Sequence, residues 1–503
     1  MRTKRSILNS FTSTIYYLIT FLIGIFVRKA TLLNFDNQIL GYVGTIESIF
    51  TWLQLADMGI GSIIMYRLYK VVAEKDEDQI RMLMSCYRLI YRLVGAFIIF
   101  AGIIVVPILH IVFVEDKINW TQIYVLYIIL LGSTVSTYFL AFRRALYTAN
   151  QQAYRCERVD IITATTSSVL KMLVATFYPV YWLFYLLPLL SSVVGNLIIS
   201  AQYKRDFPQI YSVKVTLKDI KNLHIEKDTG PYLVQRIANA VYNSVDNIVI
   251  ARFMGALTVT GVSNYSMIAL RIDQLSRMLV GGAAASVGNI IYDASVDKKR
   301  QQSVFWGLYR FELYVSTVVL VCLVGIFQHF IEVWAGKQYL LSISYVYLSG
   351  INIFFTIMRS GLSNYRTPLG NFHLDTWAWV SAALLNAIGS FIAAPFFGLM
   401  GIQLCTVVST LLMIAGILYV VEKLFYPGCY LKCIGYLAIC WLYGSFQCIV
   451  LNNITSRIPV SFAGLLLCMI IVGATASIFN LPVLLLGKDA AFVREKLKMF
   501  LKR

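Results

Sequence analysis

Long apolar runs, broken by short polar ones, set the pattern of this chain. A helix of about 20 apolar residues crosses the roughly 30 Å hydrocarbon core of a bilayer. Fourteen such spans are readable: Thr12–Val27, Tyr42–Tyr66, Leu89–Val114, Thr121–Phe142, Ile161–Val180, Trp182–Ala201, Pro231–Phe253, Val259–Ile291, Phe311–Phe327, Leu340–Met358, Thr376–Phe397, Leu399–Val421, Cys433–Leu451 and Val460–Leu486. The expected fold class is all-α and integral to a membrane. The longest polar stretch is Gln202 to Gly230, and within it Thr216 to Lys227 reads as a short amphipathic helix, with Thr216 and Asp219 spaced as a capping box. It falls near the middle of the first twelve spans. The expected organisation is a six-helix lobe over 1–201, a cytoplasmic connector over 202–230, a second six-helix lobe over 231–432, and two further helices with a basic tail over 433–503. Gly41 opens the second span after a short loop and Gly261 opens the eighth likewise, as repeated halves would.

Polar residues inside the spans recur at helical spacing. Neighbours differ by about 100°, so offsets of about 3, 7 and 10 share a face. In the seventh span Arg236, Asn239, Asn243 and Asp246 fit this, with Asn247 at the border. Glu47, Gln54 and Asp57 repeat it in the second, beside Thr51, and Asn264, Arg271 and Gln274 in the eighth. The fifth aligns Asp160, Thr163, Ser167 and Lys171, and the first Asn9, Ser13, Tyr16 and Thr20. A charge at bilayer depth costs about 2.5–3.5 kcal/mol on insertion scales, so it faces a cavity or a partner. Two readings stand: polar bonds between helices, or the lining of a wet cavity. Five amphipathic spans are difficult to satisfy by pairwise packing alone. Arg236, Arg271, Asn239, Asn243, Lys171, Asn264 and Gln274 are candidate substrate contacts. Asp57, Glu47 and Asp246 are candidates for coupling to Na⁺ or H⁺, or for neutralising nearby arginines. Asp273 and Arg277, four apart with the acid first, read as a structural ion pair. Gly59, Gly61, Gly281 and Gly282 permit close helix approach or a hinge.

Composition sharpens the picture. Of 503 residues, 58% are hydrophobic and 14% charged, against roughly half and a quarter in soluble domains. A soluble core stops growing near about 250–300 residues, so the apolar excess belongs in lipid. A net charge of +18 would raise nucleic acid for a soluble protein, but in a membrane protein cations mark the cytoplasmic side. With the N-terminus inside, 33 Lys and Arg fall on inner segments and six on outer ones. Both termini are therefore expected in the cytoplasm. The start imitates a signal peptide, yet its apolar run ends in Val27, Arg28 and Lys29 without a small-residue cleavage site, and reads as a retained helix. The nine cysteines sit mostly in apolar segments, and Cys429 and Cys433 have no further ligand nearby. No metal site or cofactor is expected.

Several segments together carry a resemblance: LQLADMGIGSIIMYRLYKVVAEKD (Leu53–Asp76), RRALYTANQQAY (Arg143–Tyr154), YNSVDNIVIARFMG (Tyr242–Gly255), GVSNYSMI (Gly261–Ile268) and FIEVWAGKQYL (Phe330–Leu340). They resemble the Wzx-type polysaccharide flippases of the multidrug/oligosaccharidyl-lipid/polysaccharide exporter superfamily, over most of the first 370 residues. The resemblance implies a two-lobed, V-shaped bundle of the MATE type, whose central cavity opens alternately to each side of the bacterial cytoplasmic membrane. The implied substrate is an oligosaccharide on undecaprenyl pyrophosphate, turned from the inner to the outer leaflet. A polysaccharide polymerase and glycosyltransferases are the implied pathway partners. It also implies cavity cations in the first, second, seventh and eighth spans. Arg236 and Arg271 fit; Arg28 fits only if the first helix runs past Val27.

The chemistry of the residues is compatible with this. Arginine stays charged and offers forked donors to phosphate oxygens, and amides and hydroxyls suit sugars. The carboxylates keep a cation or drug antiporter of the same fold open. A membrane glycosyltransferase or polymerase is a third reading, but the outer loops are short and His110, His224, His329 and His373 are scattered, with no nucleophile–base spacing.

Overall fold

The computed structural model describes residues 2–54, 60–114, 118–221, 230–281, 298–366, 371–486 and 493–494. Its helices are α1 (Arg2–Asn34), α2 (Asn37–Leu53), α3 (Ile60–Glu74), α4 (Glu77–Val112), α5 (Trp120–Leu140), α6 (Arg144–Ala149), α7 (Ala153–Phe177), α8 (Tyr181–Asp206), α9 (Leu217–Lys221), α10 (Gly230–Met254) and α11 (Ala256–Gly281). They continue with α12 (Lys298–Trp334), α13 (Ile343–Arg366), α14 (Thr376–Leu384), α15 (Ser390–Leu424), α16 (Tyr430–Thr455), α17 (Phe462–Phe479) and α18 (Leu481–Leu485). Among the described residues there is no strand, and nine helical stretches are long and apolar enough to cross a membrane. The chain is a multi-pass, all-α membrane protein. Helices α2, α10, α11 and α13 are not among those nine; they carry Glu47, Arg236, Asp246, Arg271 and Arg359.

Several boundaries differ from expectation. The first helix continues to Asn34 because nothing after Val27 breaks it, until Asp36 accepts the Gln38 N–H at 2.9 Å and caps α2. The second expected span comprises α2 and the start of α3, and residues 55–59 between them lie outside the described set. The ninth, expected over Phe311–Phe327, is the 37-residue α12. The eleventh and twelfth part as expected, at Gly398, where φ 57° and ψ −143° bend the helical chain. Only glycine enters that region without strain. A π-helical turn, Leu385–Gly389, joins α14 to α15.

The connector is helical over α9. The Thr216 N–H and hydroxyl both donate to Asp219 Oδ2, at 2.7 and 2.8 Å. This is the reaching-back half of the expected capping box. Residues 222–229 lie outside the described set, as do Gly59 and Gly282.

The chain divides into two compact units. The first comprises Met1–Ala240 and Ile250–Thr260, the second Val241–Val249 and Gly261–Arg503. In the first, α1 runs along α7, and α5 packs on α4 and α8. Gly41 touches the backbone at the start of α11, where a Cβ would meet the Ala256 carbonyl oxygen at 1.8 Å. In the second, Phe305, Tyr309, Phe354 and Tyr365 form the heart of an aromatic-rich core, each at most 2% exposed, where α12 meets α13. The Arg366 guanidinium grips buried Asp375 there with two nitrogens.

Candidate functional site

In the first unit the extra length of α1 brings Arg28 into play. Arg28, Glu47 of α2 and Lys171 of α7 act on one another electrostatically. The Lys171 ammonium stands 4.3 Å from the centroid of the Phe184 ring, a cation–π distance. Arg28 Nη2 donates to the Thr260 carbonyl at 3.4 Å. Most of α2 is buried; Gln38, Glu47 and Trp52 are exposed on it and Gln54 just past its end, and Gly44, Glu47, Thr51 and Gln54 follow one helical spacing. Glu47 thus lies deep within the protein mass yet remains accessible. A carboxylate at an accessible position of a largely buried helix is least costly where it meets water or a partner. Among the described residues the cluster holds two cations and one carboxylate.

The lower part of the α7 stripe has a different role. Asp160 accepts from both terminal nitrogens of Arg144, at 2.6 and 2.8 Å, and Arg144 Nε donates to Asn196 Oδ1 at 2.9 Å. Thr163 Oγ1 would lie 3.3 Å from a Cβ on Gly195. Those residues bond α6, α7 and α8 together, so one stripe contains both helix-to-helix bonds and an accessible end.

The other predicted residues are placed as follows. On α10, Arg236 and Asn243 are exposed and Asn239 and Asp246 half-buried. On α11, Asn264 is fully buried while Arg271 and Gln274 are half-buried. Asp273 and Arg277 form the expected ion pair at 2.6 Å. Asp57 lies outside the described residues.

In the second unit Asp246 heads a polar network that joins α10 to the helices around the π-turn. Thr406 Oγ1 donates to Asp246 Oδ2 at 3.0 Å. The Tyr242 and Thr410 hydroxyls meet at 2.6 Å, and Thr410 donates to Asn352 Oδ1 at 2.9 Å. Asn386, in the π-turn, donates to the Tyr242 carbonyl at 3.3 Å and accepts from Ser390 Oγ at 3.2 Å. Its amide also lies near the Asp246 carboxyl, yet Oδ1 of Asp246 is buried and completes no hydrogen bond of ordinary geometry. Such orphaned oxygens are rare in folded proteins, and π-turns recur at functional sites. Arg359 lies over the rings of Tyr242 and Trp379, with its guanidinium carbon 5.4 and 5.7 Å from their centroids.

Sequence reading missed Arg359, which sits at the end of an apolar run and passes for a loop cation. It missed Asn386, because a single amide in an apolar span carries no period. Thr406 and Thr410, four apart in an apolar run, were the one available signal. Of the histidines, His110 stacks on Trp120 at 3.8 Å and shares a hydrogen bond with the Tyr124 hydroxyl, and His329 Nε2 lies 3.0 Å from the Ile458 carbonyl. Among the described residues no three His, Cys, Asp or Glu side chains cluster as a metal site.

No known family pattern matches the sequence, and no curated protein does. Solved structures do match the fold. Lipid II flippase MurJ, in an inward closed conformation, superposes with a TM-score of 0.71 at 13% identity, over 95% of this chain and 99% of its own. An inward-facing multidrug resistance MATE family transporter of the MOP superfamily gives 0.58 at 12%, over 86% and 96%. A MATE protein in complex with MaD3S gives 0.55 at 14%, over 84% and 96%. The fold is therefore the MATE-like fold that these flippase and transporter structures share.

Proposed function

We propose that this chain is a flippase or exporter that moves an oligosaccharide, carried on undecaprenyl pyrophosphate, across the bacterial cytoplasmic membrane for surface-polysaccharide assembly. The observation that carries the reading is the Arg28–Lys171–Glu47 cluster, which brings two cations from α1 and α7 together inside an apolar bundle. Cations gathered at that depth suit an anionic cargo. Likeness in fold to a structure named as a lipid flippase supports it. In this reading Arg28 and Lys171 meet the pyrophosphate, and Arg236 and Arg271 are further candidate contacts for the cargo. Asn239, Asn243 and Gln274 meet sugar hydroxyls, and the lipid tail stays in the bilayer. Glu47 balances the cations before loading, and alternating access carries the headgroup across.

Asp246 is the fitting residue for a coupling cation. Its Oδ2 accepts from the Thr406 hydroxyl and its Oδ1 is buried and unbonded, a half-satisfied carboxylate that a proton or a small cation would complete. Na⁺ or H⁺ held there would supply the energy that resets the carrier.

The test is glycan export in a deletion strain, with membrane levels of each variant measured in parallel. Arg28→Gln, Lys171→Gln, Arg236→Ala and Arg271→Ala should accumulate normally and export at least about tenfold less, the worth of one charge-assisted contact of about 1.5–3 kcal/mol. Normal export by all four would refute an anionic cargo at these residues. The carboxylates keep a cation or drug antiporter as the second reading, in which Glu47→Gln and Asp246→Asn would cost transport while Lys171→Gln would not.

A further inference from the structure

At one end of the first unit a cavity of about 470 Å³ opens between the start of α4, the 3₁₀ turn Ala141–Arg143, the end of α8 and the segment 207–212 that turns at Pro208 and Gln209. Arg88, Arg143 and Lys204 line it, together with Tyr203, Tyr211 and Ser212. Depth along the helices locates it. On α4 Met82 is an isolated exposed apolar residue, and the continuous exposed apolar face runs from Leu93 through Phe97, Phe100 and Ile104, the face a helix turns to lipid. Arg88 lies five residues before Leu93, about 8 Å along the axis. On α8 the exposed apolar positions end with Leu197 and Ile198, and exposed Lys204 follows within two turns. The cavity therefore sits just beyond the hydrocarbon, at headgroup depth, with Tyr203 and Tyr211 in its lining, as aromatic residues gather at that level.

Its cations are arranged unlike the others nearby. Arg81 is paired with Glu77 and Asp78, at 3.2 and 2.6 Å, and Arg155 with Asp206 at 2.6 Å. Among the described residues, Arg88 and Arg143 form no ion pair. Like charges act on both: Arg92 on Arg88, and Arg88 and Arg92 on Arg143. Both guanidiniums are nonetheless held in place. Arg88 Nη1 donates to the Ser212 hydroxyl at 3.0 Å, and Arg143 lies against the rings of Phe142 and Tyr203, at 4.8 and 5.9 Å. Segment 207–212 is itself fixed, since Arg81 Nε donates to the Gln209 carbonyl at 2.7 Å and Ser85 Oγ accepts from the Val213 N–H at 3.0 Å. Two half-buried, oriented and unpaired forks around a small cavity suit a tetrahedral, multiply acceptor anion.

We propose that this cavity binds a phosphate group at the membrane surface, through Arg88 and Arg143 with Lys204 and Ser212 at its rim. The phosphate is that of an anionic phospholipid or a free inorganic phosphate. This does not rest on the transport reading above, and it involves none of its residues.

The test uses the purified full-length protein. Inorganic phosphate is titrated in detergent while thermal unfolding is followed. Retained phosphatidylglycerol is counted by native mass spectrometry from vesicles mixed with phosphatidylcholine. The unaltered protein should bind at least one phosphate-bearing probe, with phosphatidylcholine as the weaker competitor. Arg88→Gln combined with Arg143→Gln should weaken that binding at least tenfold. Ser212→Asp, at an exposed position that threatens no packing, should weaken it similarly by placing a carboxylate beside Arg88. Arg155→Gln, whose charge is matched by Asp206 and which does not line the cavity, should leave it within twofold. Retention of phosphatidylglycerol without a response to phosphate assigns the site to a lipid headgroup; the reverse assigns it to free phosphate. Binding of neither probe by the unaltered protein, or undiminished binding by both the double variant and Ser212→Asp, overturns the proposal.

Discussion

Asp246→Asn separates two accounts of the second unit's polar network. The substitution removes one negative charge but keeps the size of the side chain and one acceptor oxygen for Thr406. If Asp246 serves only the fold, neutralising it relieves the burial of an under-satisfied carboxylate, and the protein should be as stable as before or more so. If Asp246 holds a cation, the variant loses one charge-assisted contact, about 1.5–3 kcal/mol. At about 1.4 kcal/mol per tenfold, that weakens the cation roughly ten- to hundredfold. A ligand that binds only the folded form raises stability as RT ln(1 + [L]/Kd), about 2.7 kcal/mol at a hundred times Kd. The unaltered protein's Tm should therefore climb with sodium chloride against choline chloride at equal ionic strength. The variant should need about ten to a hundred times more sodium for the same rise. Should a proton be the ion, sodium will move neither melt, and the variant should instead lose the dependence of export on the proton gradient. If Asp246→Asn keeps both the sodium response and gradient-driven export of the unaltered protein, Asp246 has no part in coupling.

Three further outcomes follow from the packing. Gly41→Val pushes a side chain into the Ala256 carbonyl and should cost about 1–3 kcal/mol by overpacking; an unchanged thermal melt would contradict the close approach. Arg366→Ala strands Asp375, which is fully buried, and should cost about 3–5 kcal/mol. Arg366→Met with Asp375→Leu should recover most of that loss in the same melt, and no recovery would mean the pair is not the cause. The Asp219 carboxyl is held below the usual carboxylate range by the Thr216 N–H and hydroxyl. A depressed acid stabilises above its unfolded pKa and loses that contribution as pH falls through its folded one, so exchange protection at the Thr216 amide should persist at neutral pH and fall away in acid. Asp219→Asn should lower that protection at neutral pH, and an identical profile in the variant would remove Asp219 from the cap.

How much was legible can be argued from a few residues. The apolar runs gave the helices, because in lipid every backbone group must be bonded within its own segment, and a run long enough to cross has little alternative. The break at Gly398 was legible as well, since a lone glycine between two long apolar runs suits a bend. Arg28 was not, because hydropathy marks where a segment leaves the hydrocarbon and not where its helix stops. The helix α1 continues through Arg28 and Lys29 to Asn34, and that continuation carries Arg28 to Glu47 and Lys171. The polar stripes were legible as stripes, but periodicity fixes only which residues share a face, not what the face meets. On α7 one face serves two purposes: Asp160 closes on Arg144, sixteen residues away in the chain, and Lys171 lies near Arg28 and Glu47. Only tertiary packing separates those two ends. The same holds for Asp246, whose periodic partner on α10 was Arg236 but whose bonded partner is Thr406, 160 residues later. A carboxylate that one dimension pairs with an arginine is, in three dimensions, beside a hydroxyl and an amide. That difference is what turns Asp246 from a neutralising charge into the candidate for an ion.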